Sequence, residues 1–316
     1  MSKKTEVTAV LGGKIKEVCE KMDEKTFLSL QEIRIRQGRP LCLKKDGQTY
    51  FVTKSGVLKE VKTNVFIPDR RDILSTVEVL AGYSRFAFQE EMRRGYFTIA
   101  GGHRVGLCGH ALVQDGAVVE LRQITGLNIR CAKEVKGCAE VIFPYVVEKG
   151  RVQNTLILSP PGCGKTTLLR DLVRLVSNAG FCVGLVDERS EIAACFGGET
   201  GNDCGENTDV LDGCPKTEGI LMLLRSMAPE VIAVDELGGE DDLAAVFEAS
   251  LCGVSVIATC HGACYADLER RKGWKEVLDK RVFDRLIFLE KDAVGKLRTV
   301  TDGTGKGVKK KEALVH

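Results

Sequence analysis

The sequence predicts an α/β protein in which a parallel sheet covered by helices follows a smaller mixed α+β N-terminal domain. Three observations predict it. Beyond residue 154, short apolar runs without alternation are separated by helical stretches, the pattern of strands buried on both faces. A glycine-rich loop, Ser159-Pro160-Pro161-Gly162-Cys163-Gly164-Lys165-Thr166, lies between the first of those runs and an amphipathic stretch. Upstream, apolar residues alternate with polar ones around glycine, proline and Asp-Gly turn signals.

In chain order, an amphipathic helix begins near Lys14. Ile33 and Ile35, then Leu41 and Leu43, alternate around Gly38 and Pro40 as a hairpin, and the Asp46-Gly47 turn leads to a strand at Tyr50-Phe51-Val52. Ile73, Val77 and Leu80 stand at helical spacing within 69–82, and a second helix is expected over 86–92. Glycine-rich alternating stretches at 96–107 and 127–130 read as strands. The N-terminal domain therefore spans 1–145. In the second domain, 146–300, a strand at 155–158 is followed by the glycine loop and a helix over 166–177, with Leu168, Leu169, Leu172 and Leu175 on its apolar side. Further buried strands fall at 182–186, 231–234 and 254–259. Residues 301–316, with Gly303, Gly305, Gly307 and Lys309-Lys310-Lys311, read as a disordered basic tail.

The 316 residues suffice for two folding units, and 44% hydrophobic with 28% charged residues is ordinary globular composition. A formal net charge of +2 provides no overall pull towards nucleic acid or an anionic membrane. No apolar run approaches the ~18 residues of a membrane span, and Met1-Ser2-Lys3-Lys4 lacks the apolar core of a secretory signal, so a cytoplasmic protein is expected. The 13 cysteines are scattered, which suits reduced buried thiols. His103 with Cys108 and His110, and Cys260 with His261 and Cys264, lack the paired spacing of a structural zinc site.

The glycine loop carries the chemistry. Its glycines let successive backbone N–H groups converge on phosphate oxygens, Lys165 reaches the outer phosphates, and the Thr166 hydroxyl ligates Mg²⁺, with Thr167 continuing the helix start. Ser159 stands where the pattern has its first glycine. Hydrolysis needs a second acidic strand end, and Val231-Ile232-Ala233-Val234-Asp235-Glu236 supplies one carboxylate for the Mg²⁺ shell and one for the attacking water. Asp187-Glu188-Arg189-Ser190-Glu191 and Thr259-Cys260-His261-Gly262 follow two other strands, where open α/β sheets place their ligands. His261 there suits a γ-phosphate sensor.

These motifs are joined by Glu32-Ile33-Arg34-Ile35-Arg36 with Gly38-Arg39-Pro40, by Gly101-Gly102-His103-Arg104-Val105-Gly106, and by Thr208-Asp209-Val210-Leu211-Asp212-Gly213-Cys214-Pro215-Lys216. Together they resemble the secretion-type ATPases of the RecA-like P-loop group, and within it the stage III sporulation AA family, over nearly the whole chain. The resemblance implies a homo-hexameric ATP-hydrolysing motor at the cytoplasmic face of a membrane channel complex in sporulating cells, peripheral to the membrane, with ATP and Mg²⁺ as cofactors. It also implies an acidic box at Asp187, Glu188 and Glu191, a histidine box at His261, and arginines of the N-terminal domain, Arg104, Arg122 and Arg130, that reach the phosphates. Secretion motors usually carry Gly-Glu where this chain has Asp235-Glu236, and the chain lacks their tetracysteine zinc insert.

Two other classes fit a RecA-like site. A nucleic-acid-dependent motor calls for basic and aromatic residues along one groove, against which stand 6% aromatics and a small net charge. A nucleotide-switched scaffold with little turnover is the third; for the channel motor itself no nucleic-acid partner is expected.

Overall fold

The computed structural model describes residues 2–82, 95–132, 135–195, 198–290 and 295–309, without the side chains of Phe97 and Ala117. The helix expected over 86–92 lies outside the described residues. The chain divides into two units, residues 1–133 with 194–201, and residues 134–193 with 202–316.

In the first unit, α1 (Lys3–Ala9), α2 (Gly13–Glu20) and α3 (Glu24–Leu28) precede β1 (Leu30–Arg36), β2 (Cys42–Lys45), β3 (Gln48–Val52) and β4 (Leu58–Lys59). Then come α4 (Arg70–Ala81), β5 (Tyr96–Ile99), a 3-10 turn (Ala100–Gly102), β6 (His103–Gln114) and β7 (Ala117–Arg130). The strands form one antiparallel sheet in the order β4-β3-β2-β1-β7-β6-β5. Alternation in β1 sets its two faces. Ile33 and Ile35 are fully buried in one core with Ile15, Ile73 and Ile129, whereas Arg34 and Arg36 turn to the opposite, exposed face. Asp69 caps α4 by accepting from the Arg71 and Asp72 amides, and Asp72 accepts in return from the Asp69 amide.

β6 and β7 continue past their neighbours. β5 pairs with β6 only as far as Gly106, and β1 with β7 only from Gly126, so 108–122 pair with one another alone among the described residues. This two-stranded arm exposes Leu112, Val113 and Val118. It escapes the sequence reading because an arm that buries neither face carries no in-out alternation. Residues 194–201 also belong to this unit. A Cβ on Gly201 would lie 3.1 Å from the Gly101 amide nitrogen and 2.7 Å from the Ala194 carbonyl oxygen, so only glycine permits that approach.

The second unit opens with α5 (Phe143–Val146) and the small hairpin β8 (Val147–Glu148) and β9 (Arg151–Val152). It continues through β10 (Thr155–Ser159), α6 (Lys165–Asn178), β11 (Val183–Asp187), β12 (Thr208–Asp212), α7 (Lys216–Ser226), β13 (Val231–Val234) and α8 (Glu240–Leu251). β14 (Ser255–His261), α9 (Tyr265–Glu269), α10 (Trp274–Asp279), β15 (Arg285–Leu289) and β16 (Leu297–Asp302) complete it. The sheet order is β12-β11-β13-β14-β10-β15-β16, parallel except for β16. Every residue of β10, β11 and β13 is buried, which is why those strands read as continuous apolar runs. α7 and α8 cover one face, on Leu156, Leu158, Ile232 and Val234, and α6 buries Leu168, Leu172 and Val176 on the other, towards which Ile157 and Leu185 point.

Of the tail expected over 301–316, the described residues 301–308 are ordered on the sheet. β16 lies antiparallel on β15, and the Val308 amide donates back to the Val300 carbonyl at 2.9 Å, so 301–308 fold onto the sheet edge. An edge strand with one face exposed needs few apolar residues, and only Val300 of β16 is buried.

Candidate functional site

β10 delivers the chain into the glycine loop at Ser159, which is buried, and its hydroxyl donates to the Pro160 carbonyl at 2.9 Å. Gly162 and Gly164 take φ of 77° and 85°, a region that L side chains rarely adopt. Gly164 caps α6, so the unpaired amides at that helix start face the loop with the positive end of the helix dipole. This is a cradle for anions.

Lys165 is only 7% exposed. Its ammonium donates to the carbonyls of Ser159 (3.2 Å) and Pro160 (3.4 Å) and to His261 Nδ1 (2.9 Å). Burial holds its pKa below the ordinary lysine value, against the pull of Asp235 and Glu236. An ammonium can only donate, so His261 Nδ1 accepts and its proton sits on Nε2, 3.4 Å from Glu236 Oε1. Glu236 Oε2 accepts from Arg189 Nη1 at 2.8 Å. Lys165, His261, Glu236 and Arg189 thus form one chain of contacts across the ends of β10, β14, β13 and β11.

Asp235 is fixed by two hydroxyls. Thr166 Oγ1 donates to one carboxylate oxygen at 2.6 Å and Thr259 Oγ1 to the other at 2.5 Å, while Thr259 Oγ1 also accepts from the Glu236 amide at 2.9 Å. Glu236 adopts a left-handed φ of 54°, an unfavourable backbone for a residue with a side chain. The Thr166 hydroxyl and Asp235 carboxylate, side by side beside the anion cradle, are hard oxygen donors suited to Mg²⁺, which keeps most of its shell as water and phosphate oxygen. The residues fit that ion.

The acidic box divides into two roles. Asp187 is 2% exposed and spends both oxygens on the amides of Glu191, Ile192 and Ala193, at 2.8–2.9 Å. Burial raises its pKa even against those three amides. It shapes the loop, its carboxylate held by its own backbone amides. Arg170 of α6 holds the same loop from the other side, donating to the carbonyls of Glu191 and Ile192. Glu188 pairs instead with Lys216 at the start of α7.

Lys165, Thr166, Asp235, Glu236, His261 and Glu188 therefore gather at the C-terminal edge of one sheet. Cys163 is buried, its thiol directed at the Pro161 carbonyl, and Thr167 offers its carbonyl to the Cys138 thiol. Arg104 and Arg130 belong to the first unit, where they are register partners on β6 and β7. With Arg34, Arg36, Tyr96 and Asn128 they line a cleft of about 660 Å³, and Arg104 lies over the Tyr96 ring at 5.0 Å. Arg122 is not part of it; it sits on the arm, paired with Glu120 at 2.7 Å. Arg170, Arg189, Lys216, Thr259, Arg34 and Arg36 received no individual role from the sequence. Arg189 and Thr259 stand inside the polar clusters that follow buried strands, which is the signal that marks them. Among the described residues no three His, Cys, Asp or Glu side chains converge as a metal site, and no helix is long and apolar enough to cross a membrane.

The fold is that of the secretion and pilus ATPases. The Legionella pneumophila ATPase DotB matches with a TM-score of 0.57 over 88% of this chain and 74% of its own, at 14% identity. The pilus retraction motor PilT, solved with bound ADP, matches with a TM-score of 0.54 over 90% of this chain and 80% of its own, at 17% identity. Within that class, the family described as sporulation stage III, protein AA matches residues 1–308, and the chain belongs to it. Stage III sporulation protein AA of Bacillus subtilis (strain 168) is 42% identical over 291 residues, 90% of this chain and 91% of that relative.

Proposed function

We propose that the chain is a Mg²⁺-dependent ATPase whose turnover drives assembly of, or transport through, a membrane channel in sporulating cells. The observation that carries this reading is the convergence of Lys165, Thr166, Asp235 and Glu236 on one anion cradle. The amides of the glycine loop and Lys165 hold the ATP phosphates, Lys165 exchanging its carbonyl partners for phosphate oxygens. Thr166 and Asp235 would hold Mg²⁺, which supplies positive charge against the phosphates. Glu236 takes a proton from the attacking water as the water oxygen bonds to the γ-phosphorus and the bond to the ADP oxygen breaks. His261, in contact with Glu236 through Nε2, would sense the γ-phosphate. Arg104 and Arg130 would neutralise charge on the phosphates from the first unit. The likeness of the fold to secretion and pilus ATPases supports a homo-hexamer at the cytoplasmic face of the channel as the functional form.

The test is steady-state ATP hydrolysis across a protein concentration series, with single-stranded DNA or RNA in half the samples. Specific activity that rises with concentration and ignores nucleic acid supports the reading. Strong stimulation by nucleic acid would replace the channel motor by a nucleic-acid-dependent one. Bound ATP without turnover would leave a nucleotide-switched scaffold.

A further inference from the structure

At the ends of β11 and β13 lies a cavity of about 20 Å³ whose wall includes Asp187, Glu188, Arg189, Lys216, Asp235 and Glu236; Asp187 is held by the amides of its own loop. That is room for about one water molecule. The carboxylates around it are not equivalent. Asp235 gives its two oxygens to Thr166 and Thr259, and Glu236 already meets Arg189 and His261. Glu188 is set by Lys216 Nζ.

Lys216 is the first residue of α7, directly after Pro215, and its side chain is 12% exposed. An ammonium so enclosed is tolerated only with a charged partner. Its place follows from the packing of α7 on β11. Gly219 lies so close to Val186 that a Cβ there would come within 2.6 Å of Val186 Cγ1, and the buried Ile220 and Leu223 hold the same turn down. β11 ends one residue before Glu188, so this close approach puts the ammonium beside the Glu188 carboxylate. Asp187 and Arg170 fix the loop after Glu188 at residues 191–193, and the Glu188 side chain is held by Lys216.

We infer that Lys216 is a positioning residue for hydrolysis, holding Glu188 against the one-water cavity so that Glu188 and Glu236 together orient the attacking water. This rests on the ATPase reading above. One water O–H gives its proton to Glu236 as the oxygen attacks; the other donates a hydrogen bond to Glu188 and is not transferred. Lys216 shares the cavity wall but takes no proton, and it acts by holding Glu188.

Lys216→Met, Lys216→Arg, Glu188→Gln and the double variant Glu188→Gln with Lys216→Met test this, by kcat and KM for ATP and by affinity for a fluorescent ADP analogue. The expected result is a kcat lower by about 10- to 100-fold in Lys216→Met, with KM and ADP affinity within roughly twofold of wild type. Lys216→Arg should recover turnover to within about fivefold of wild type. The double variant should be no slower than Glu188→Gln, because a residue acting through Glu188 has nothing left to position. A Lys216→Met kcat within about threefold of wild type, a full further loss on the Glu188→Gln background, or a loss of ADP affinity as large as the loss of kcat would each overturn the inference. Wild-type turnover with an unaffected Lys216→Met protein sinks this inference alone; a wild-type protein that binds ATP without hydrolysing it sinks the ATPase reading and this with it.

Discussion

At the residue scale, the proposed ATPase site would divide binding from chemistry between different side chains. Lys165 is enclosed by the loop it serves, so Lys165→Ala should raise the Kd for a fluorescent ADP analogue by at least about 100-fold while leaving the thermal midpoint within a few degrees, since a buried ammonium adds little net stability. Glu236→Gln should keep ATP affinity and lower kcat by about 10²- to 10⁴-fold, the range of a lost general base; unchanged turnover would remove Glu236 from that role. His103 makes a prediction about pH. It is 2% exposed, its Nδ1 accepts from the Ala132 amide at 2.9 Å, and its Nε2 lies 3.2 Å from Glu6, out of line for a hydrogen bond. Burial holds its pKa down at about 4, from an ordinary 6.5. The neutral ring therefore supports the fold above pH 6.5. Below that the unfolded chain takes up a proton that the folded one refuses, and stability falls by about 3 kcal/mol as the pH drops towards 4. Urea midpoints near pH 7 and near pH 4.5 measure it, and His103→Gln should flatten the difference. Lys165, Thr166, Asp235 and Glu236 were legible from sequence because each type has one chemistry at that spacing. Asp187 was not, since a carboxylate bound to ligand and one bound to its own backbone look alike until the loop is seen.

At the element scale, strand–loop–helix at 155–178 is the most readable part of the chain, because a doubly buried strand, two glycines and an amphipathic helix all point to one arrangement. Gly164→Ala puts a side chain at φ 85° and should cost about 1–2 kcal/mol of strain while turning the capping amides from the phosphates. A fall in ADP affinity of about tenfold or more, read by titration, checks it. In β1 the alternation of Ile33 and Ile35 with Arg34 and Arg36 is equally plain, and Ile33→Ala should destabilise by about 2–5 kcal/mol in denaturant unfolding. What the alternation could not convey is that Arg34 and Arg36 share a cleft with Arg104 and Arg130. That depends on β1 pairing with β7 across some ninety residues, which no local pattern encodes. β12 was missed for another reason: its inner neighbours bury it on one edge only, and Thr208, Asp209 and Asp212 leave it looking like a loop.

At the scale of the whole molecule, a motor of shared sites predicts that sedimentation velocity with ATP and Mg²⁺ shows a single large assembly of Glu236→Gln protein, and smaller species without nucleotide. A monomer under both conditions would contradict the hexameric reading. The sequence conveyed two units and their classes, because the change from alternating to continuous apolar runs is a change of sheet type. It did not convey that the first unit is built from two stretches of chain. Residues 194–201 return to it from within the second, and Gly201 seats against the turn at 100–102. A ribosome releasing this chain therefore cannot finish the first unit when β7 emerges. It must also expose the glycine loop, α6 and β11, so the nascent N-terminal unit waits, one piece short, until about a third of the second has left the exit tunnel.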